Sequence, residues 1–124
     1  MDFRVYLGGY QPHPEVLYLK AGMTGNLKSR INSYGGVLPG GMTFMWAAIV
    51  SSRGDALRGE TELMRSLEYH GGFTPVSGEW FSCDPFLKSV AIDELFKIGT
   101  RRIEVRCTHV KPFSSGKRGR RNEG

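Results

Sequence analysis

The alternation of apolar and polar residues near the N-terminus predicts two β-strands. Residues 3–8 place every second side chain on an apolar face, and residues 15–20 repeat the pattern. The glycines and prolines of residues 8–14 interrupt a continuous hydrogen-bonded ladder, which predicts a wide hairpin between the two strands. Because side chains at alternate positions point the same way, we expect Tyr6 and Lys20 to share a face.

Three segments have the apolar spacing and the end signals of helices. The first covers residues 26–34, with Thr24 as the predicted N-cap. The second begins at a predicted cap, Asp55, and ends near His70, where two glycines follow. The third covers residues 84–99, since an Asp-Pro pair opens it and a glycine closes it.

The remaining apolar runs complete the predicted order of elements. The run FMWAAIV, within residues 42–51, predicts a buried interior strand. We expect FTPVSG to be a loop, EWFSC a short extended segment and residues 101–107 an edge strand. This order predicts an α+β fold, with a small mixed, mainly antiparallel β-sheet flanked by helices. The length of 124 residues suits a single domain with one core.

The positive net charge is concentrated at the C-terminus. The chain carries +5, of which residues 117–124 hold +3 (four basic residues minus one acidic), leaving +2 on residues 1–116. Glycines and serines precede this run, so we predict a domain over residues 1–112 and a basic flexible tail over residues 113–124. Such a tail either contacts nucleic-acid phosphates or merely keeps the protein in solution. Its basic residues are Lys117, Arg118, Arg120 and Arg121.

Composition also excludes some classes of protein. The longest apolar stretch has seven residues, well short of the roughly 18 that cross a bilayer, so no membrane partner is expected. The first residues show no secretory signal, which predicts a cytoplasmic protein. Cys83 and Cys107 lack the spacing of a zinc site, and we expect free, partly buried thiols.

One carboxylate falls on the apolar stripe of the second helix. Glu60 lies between Ala56 and Leu63 on that face, where an uncompensated charge is costly to bury. It is either a boundary residue whose stem packs while its head reaches water, or a metal ligand. Mg²⁺ needs only one or two carboxylates besides water and phosphate oxygens, so a single glutamate is chemically adequate.

Other polar residues are expected to gather near the first helix. Arg30 and Tyr34 lie one turn apart on it, although an arginine there also suits an ordinary surface charge. Tyr6, Tyr18 and Lys20 share the strand face that this helix is expected to approach. A phenol or amine, an arginine and a carboxylate are together the ingredients of a phosphodiester site.

Three segments of the chain resemble the GIY-YIG endonuclease superfamily. The stretch KAGMTGNLKSR, residues 20–30, resembles the family pattern Tyr-Ile-Gly-x-Thr-x-Asn-Leu-x-x-Arg. The matching residues are Gly22, Thr24, Asn26, Leu27 and Arg30. The stretch ALRGETEL, residues 56–63, is similar to the family's Ala-Leu-x-x-Glu-x-x-Leu helix, whose glutamate falls on Glu60. GEWF, residues 78–81, together with Lys20 is similar to the motifs of a phage and bacterial branch of the superfamily, which has lysine in the second tripeptide.

The chain also departs from the family pattern. In the first tripeptide, which ends at Tyr6, Arg4 replaces the glycine, and in the second Lys20 replaces the tyrosine. The asparagine near the family's C-terminal end has no obvious counterpart here. Core packing is the favoured explanation for the aromatic residues of GEWF, and Glu79 also suits a residue that only holds a loop.

The resemblance implies a metal-dependent endonuclease that hydrolyses phosphodiester bonds, in DNA rather than RNA, with Mg²⁺ or Mn²⁺ as cofactor. It implies a cytoplasmic protein of a bacterial cell or a phage-infected host. The substitutions in the two tripeptides leave two other functions open: a nucleic-acid-binding module with little or no catalysis, and an adaptor that binds protein. Expected nucleic-acid contacts are Asn26, Lys28 and the four basic residues of the tail.

The resemblance also implies a role for each site residue. Tyr6 would act as general base on the attacking water or orient it, and the positive charge of Lys20 would favour its phenolate form. Arg30 would stabilise charge on the phosphoryl oxygens, and Glu60 would bind the metal. Tyr34 would contact the phosphate or the leaving side.

The tail provides a first test. Deleting residues 117–124 should weaken binding to nucleic acid without unfolding the domain, because this run holds no apolar residue that could join a core. Losing up to four basic contacts should reduce the slope of log K against log salt by up to about 3.6. Binding titrations at several salt concentrations measure this slope, and an unchanged slope would make the tail a solubilising segment only.

Overall fold

The computed structural model describes residues 2–99 and 101–105, which contain six β-strands and three α-helices. The strands are β1 (Phe3–His13), β2 (Val16–Thr24), β3 (Phe44–Val50), β4 (Thr74–Ser77), β5 (Trp80–Cys83) and β6 (Arg101–Val105). The helices are α1 (Leu27–Gly35), α2 (Arg53–His70) and α3 (Lys88–Leu95), the last preceded by a 3₁₀ turn, Pro85–Leu87. In this part of the chain no helix is long and apolar enough to span a membrane.

The strands form one sheet in the order β4-β5-β2-β1-β3-β6. Each neighbouring pair among the described strands is antiparallel. The predicted α+β class and the mainly antiparallel sheet are therefore confirmed, and these six strands include no parallel pair. Long β1 and β2 lie at the centre of the sheet, so each of them pairs with a strand on both of its edges.

Two clusters of buried side chains cover the two faces of the sheet. On one face, Val5, Leu7 and Leu19 pack with residues of α2 and α3, such as Leu63 and Leu95. On the other face, a smaller cluster lies beneath α1 and comprises Tyr6, Ile31, Met42, Met45 and Ala47. Burial of a phenol within the smaller cluster is what places polar chemistry on the α1 face.

The connection between β1 and β2 is tighter than the sequence predicted. Strand β1 continues through the glycines as far as His13, so the wide hairpin is wrong and the turn holds only Pro14 and Glu15. The register shifts between Tyr10 and His13, and this irregularity accommodates Pro12, which has no N–H to donate to a ladder. The hairpin thus projects beyond the part of β1 that pairs with β3.

Both predicted helix caps are wrong by a few residues. Asn26 caps α1, since its side chain accepts a hydrogen bond from the Ser29 amide at 3.0 Å. Thr24 remains in the strand and its hydroxyl accepts from the Asn26 amide at 3.0 Å. Ser52 caps α2 by accepting from the Asp55 amide at 3.1 Å, which puts Asp55 in the first turn, where its charge suits the helix dipole. Neighbouring cap-forming residues are equivalent in sequence, and only backbone geometry selects one.

The C-terminal elements also differ from their predicted bounds. The third helix is divided into the 3₁₀ turn and α3, and the Asp84 side chain makes no cap hydrogen bond. FTPVSG is not a loop, because its residues 74–77 form β4, an edge strand in which Pro75 is tolerated. EWFSC forms β5 as expected, and β6 pairs with β3 as far as Val105. The predicted flexible tail, residues 113–124, and Cys107 lie outside the described residues.

Cys83 lies in β5 and is a free, buried cysteine, as expected from its spacing. Burial and the nearby charge of Asp84 raise the pKa of its thiol to about 11. The side chain therefore behaves as a small apolar residue of the larger core cluster rather than as a nucleophile.

A glycine sets how closely α2 approaches the sheet. A Cβ on Gly59 would lie 2.7 Å from a methyl of Ile98 and 2.9 Å from a methyl of Val5, closer than such atoms pack. Val5 is fully buried and β-branched, so its side chain has little freedom to move away. Gly59 therefore allows the helix to approach the sheet at the turn that carries the neighbouring Glu60.

This contact provides a test with a matched control in the same helix. Gly59→Ala should lower the free energy of unfolding by about 1–3 kcal/mol, the usual effect of overpacking. Gly54→Ala should leave it unchanged or raise it by up to about 1 kcal/mol, because alanine favours helix and the nearest atoms there are 3.9 Å away. Urea unfolding measures both, and equal effects of the two substitutions would contradict the close approach.

Candidate functional site

Tyr6 lies at the centre of the α1 face of the sheet. It is 1% exposed and sits between Gly22 of β2 and Ala47 of β3, its partners in the two neighbouring strands. A Cβ on Gly22 would lie 2.3 Å from both Cζ and the hydroxyl oxygen of Tyr6. The ring of Tyr6 therefore occupies the space that any side chain at position 22 would fill.

The hydroxyl of Tyr6 is hydrogen-bonded to a second phenol. Its oxygen lies 2.6 Å from the hydroxyl oxygen of Tyr34, which α1 carries over the sheet. The two rings meet edge to face with their centres 6.3 Å apart. Tyr34 also meets Trp80 of β5 edge to face, again at 6.3 Å. Since Tyr34 is only partly buried, it is the member of the hydroxyl pair that reaches the surface.

The environment of Tyr6 keeps its phenol neutral. Burial first, and the hydrogen bond to Tyr34 second, raise the pKa of Tyr6 far above its usual value, while the Arg30 charge opposes them weakly. The expectation that Lys20 would favour the phenolate is therefore wrong for this structure. Tyr6 and Lys20 do share a face of the sheet, as predicted, but the lysine has another partner.

That partner is Glu79, in the turn between β4 and β5. The ammonium of Lys20 forms an ion pair with the Glu79 carboxylate and also donates to the carbonyl of Ala21 at 3.3 Å. The side chain of Lys20 is 14% exposed and that of Glu79 is 46% exposed. Trp80 pairs directly with Lys20 across the sheet, so the residue before it is brought to the end of the lysine. Sequence reasoning assigned Glu79 no chemical role, although its place in the GEWF motif could have indicated one.

Glu60 reaches the same group of charges from α2. Burial and the charge of Glu79 raise the pKa of the Glu60 carboxyl, and the positive charges of Lys20 and Arg30 oppose the increase. Glu60 is only partly exposed, as a boundary residue would be. It is thus both a boundary residue and a neighbour of the other site residues, so the two interpretations of the sequence do not exclude each other.

The edge of β2 explains how side chains from several elements meet here. Strand β5 pairs with β2 only from Leu17 to Lys20, followed by one long hydrogen bond of 3.5 Å between the Ala21 amide and the Glu79 carbonyl. The last residues of β2, 22–24, therefore have no β5 partner. Helix α2 contacts both β1 and β2, and this end of β2 leads directly into the loop before α1. The site lies at this strand-to-helix joint.

The other residues that the sequence predicted to contact nucleic acid lie either around this joint or outside the described residues. Arg30 is exposed on α1, and its charge acts on both Tyr6 and Glu60. Lys28 is exposed on the same helix. Asn26 is exposed, but its side-chain oxygen is occupied in capping α1. The tail residues Lys117, Arg118, Arg120 and Arg121 are not among the described residues.

Two neighbouring carboxylates can supply only some of the ligands that a divalent cation needs. Within residues 2–99 and 101–105 there is no group of three or more His, Cys, Asp or Glu side chains suited to hold a metal. Glu60 and Glu79 are close enough for one to raise the pKa of the other, a repulsion that a cation would relieve. The residues therefore fit Mg²⁺ or Mn²⁺ held chiefly by water and by phosphate oxygens of a ligand.

Known proteins give no independent assignment for this site. No protein-family model matches the chain, and neither a curated protein nor a solved structure matches it significantly. The functional interpretation therefore depends on the short sequence motifs and on the geometry described above.

The buried phenol leads to a prediction about pH. Tyr6 should remain protonated in the folded protein at pH 10, the ordinary pKa of a phenol. Phenolate absorbance of the native protein should then match that of Tyr6→Phe up to this pH, and the two should differ once both are unfolded. Because the folded state retains the proton, the wild type should also lose stability above pH 10 relative to Tyr6→Phe. A Tyr6 phenolate detected near neutral pH would contradict this environment.

Proposed function

We propose that this protein is a metal-dependent endonuclease that hydrolyses phosphodiester bonds in nucleic acid, with DNA as the preferred substrate. The observation that carries the proposal is the meeting of polar side chains from four elements and one turn. They are Tyr6 of β1, Lys20 of β2, Arg30 and Tyr34 of α1, Glu60 of α2 and Glu79 before β5. The resemblance of the motifs to the GIY-YIG superfamily supports the same function.

The two cations of the site suit a phosphodiester group. Arg30 is exposed and presents a planar guanidinium, which forms paired hydrogen bonds with phosphoryl oxygens. The largely buried Lys20 is held in place by Glu79 and Ala21, so its charge is oriented before a substrate arrives. Charges fixed in advance stabilise the additional negative charge of the transition state without a cost of reorganisation.

The pair of hydroxyls suits the orientation of water rather than its deprotonation. A neutral Tyr6 has a proton to donate, and donating it to Tyr34 leaves the Tyr34 proton free for a phosphoryl or leaving oxygen. With the donor reversed, the Tyr34 oxygen can accept a hydrogen bond from the attacking water. In this proposal Tyr34 contacts the reacting groups and Tyr6 is a positioning residue.

Glu60 is the residue proposed to hold the metal, with Glu79 contributing negative charge beside it. A bound Mg²⁺ or Mn²⁺ would supply a more acidic water and stabilisation of the phosphoryl charge. Glu60 is suited to this role because its carboxylate is partly desolvated and lies beside a second carboxylate. Attraction for a cation is stronger in such a place than at a fully hydrated surface.

One observation favours a second function, a nucleic-acid-binding module without catalysis. Lys20 is already paired with Glu79, and the hydroxyl of Tyr6 is already paired with Tyr34. With Lys20 and Tyr6 paired in this way, the protein could bind a phosphate backbone through Arg30 and Lys28 without catalysing a reaction. Such a module would bind DNA equally well in EDTA and would not cut it.

Glu60→Gln separates the two functions, with Glu62→Gln as a control at an exposed position of the same helix. If Glu60 holds the metal, nicking of supercoiled plasmid with Mn²⁺ should collapse in Glu60→Gln, because an amide is a poor ligand for a hard cation. DNA binding in EDTA should be retained. Metal-free stability should equal or exceed that of the wild type, because a desolvated carboxylate has been removed. Glu62→Gln should match the wild type in each measurement.

One result would count against the nuclease, and another would count only against the metal assignment. If the wild type cuts neither plasmid nor partly single-stranded DNA with either metal but binds DNA in EDTA, the binding module is the better assignment. If Glu60→Gln and the wild type nick at equal rates, catalysis is retained and the metal assignment is wrong.

A further inference from the structure

Four aromatic side chains form a strip on the face of the sheet that carries Tyr6. This aromatic strip consists of Tyr10, Tyr18, Tyr34 and Trp80, and each of the four is partly exposed. Tyr10 and Tyr18 are direct partners across β1 and β2, with stacked rings 6.5 Å apart and inclined by 27°. Tyr34 and Trp80 meet edge to face beside the hydroxyl pair. The strip therefore runs from the site towards the projecting hairpin.

At the outer end of the aromatic strip, the strand partners next to Tyr18 on one side are small and polar. Tyr18 pairs with Ser82 of β5, and Ser82 pairs with Thr74 of the edge strand β4. Tyr10, but not Tyr18, packs against the buried cluster beneath α1. Large aromatic rings are commonly buried for their apolar area, so partly exposed rings aligned on one face indicate a surface that binds something flat and apolar.

Positive charge lies at the inner end of the aromatic strip, on β2 and on α1. Lys20 pairs with Trp80 across the sheet, and Lys28 and Arg30 are exposed on the helix that carries Tyr34. Aromatic faces next to a track of cations are the arrangement by which proteins bind single-stranded nucleic acid, since bases stack on the rings while cations meet the phosphates. An intact duplex offers phosphates but keeps its bases stacked within the helix.

We propose that the aromatic strip stacks unpaired bases of single-stranded DNA next to the phosphodiester site, so that the substrate contains a single-stranded segment. This inference rests on the proposed function for the identity of the site. Tyr10 lies four residues from Tyr6 along β1, about 13 Å at 3.3 Å per residue. One strand can therefore contact the Tyr10–Tyr18 pair and the site at the same time.

Binding in EDTA tests the strip separately from catalysis. Fluorescence anisotropy should show that wild-type protein binds a short single-stranded oligothymidylate more tightly than a duplex of the same length. Tyr18→Leu, which keeps apolar bulk but removes the ring, should weaken single-strand binding by about 5- to 150-fold, the range for losing one stacked base. It should leave duplex binding unchanged.

Three comparisons distinguish stacking from a structural role of Tyr18. Tyr18→Phe keeps the ring and should bind as the wild type does, whereas Tyr69→Leu, at a residue of α2 that is 93% exposed, should have no effect. The salt dependence of binding should be unchanged in Tyr18→Leu, because no phosphate contact is lost, and should become weaker in Lys28→Gln. Thermal unfolding of Tyr18→Leu verifies that the variant is folded.

Three results would overturn the inference. The first is that Tyr18→Leu or Tyr18→Phe lowers single-strand and duplex affinity to the same extent. The second is that Tyr18→Leu binds the oligothymidylate as the wild type does, and the third is that the wild type binds no single strand. Tighter binding of a matched RNA strand would overturn the assignment to DNA. Plasmid nicking that persists under any of these results would leave the nuclease intact. Single-strand binding that depends on Tyr18, without cleavage of either plasmid or partly single-stranded DNA in Mn²⁺, would retain the strip and reject the nuclease.

Discussion

The site depends on one close contact, the ring of Tyr6 against the backbone of Gly22. Because position 22 has no side chain, the phenol lies flat across the pairing of β1 with β2 and is almost fully buried. Its hydroxyl then meets Tyr34 from α1, which fixes that helix over the sheet. Lys20 and Arg30 lie on either side of the same strand-to-helix joint, at the end of β2 that has no β5 partner. A side chain at position 22 would displace the phenol and with it the geometry of the remaining residues.

Charges at this joint are balanced rather than isolated. Lys20 is paired with Glu79, and Glu60 is affected by both members of that pair and by Arg30. Placing a carboxylate in a partly desolvated position costs stability, and the two nearby cations offset only part of that cost, since the pKa of Glu60 is still raised. The arrangement suits a site that exchanges internal ion pairs for contacts with a phosphate and a metal.

Much of the fold could be predicted because local patterns determine it. Strand alternation, the buried run of β3 and the apolar stripe of α2 identified the main elements and the α+β class. Errors occurred where adjacent residues offer equivalent local chemistry. Thr24 and Asn26 can both cap a helix, and so can Ser52 and Asp55, but hydrogen bonding in the folded backbone selected Asn26 and Ser52. The strand β4 was missed because its pairing with β5 is a tertiary contact that its turn-like sequence does not signal.

The sequence by itself singled out five of the six residues of the site. Lys20, Arg30 and Glu60 fall in the motifs at residues 20–30 and 56–63, Tyr6 ends the first tripeptide, and Tyr34 lies one turn after Arg30. Glu79 received no role from the sequence. Strand alternation predicted that Tyr6 and Lys20 share a face, because the period of a strand is two whatever surrounds it. Only the tertiary structure decided how these groups are paired. It joined Lys20 to Glu79 and buried the Tyr6 phenol against Gly22, and desolvation and ion pairing depend on neighbours that are distant in the chain.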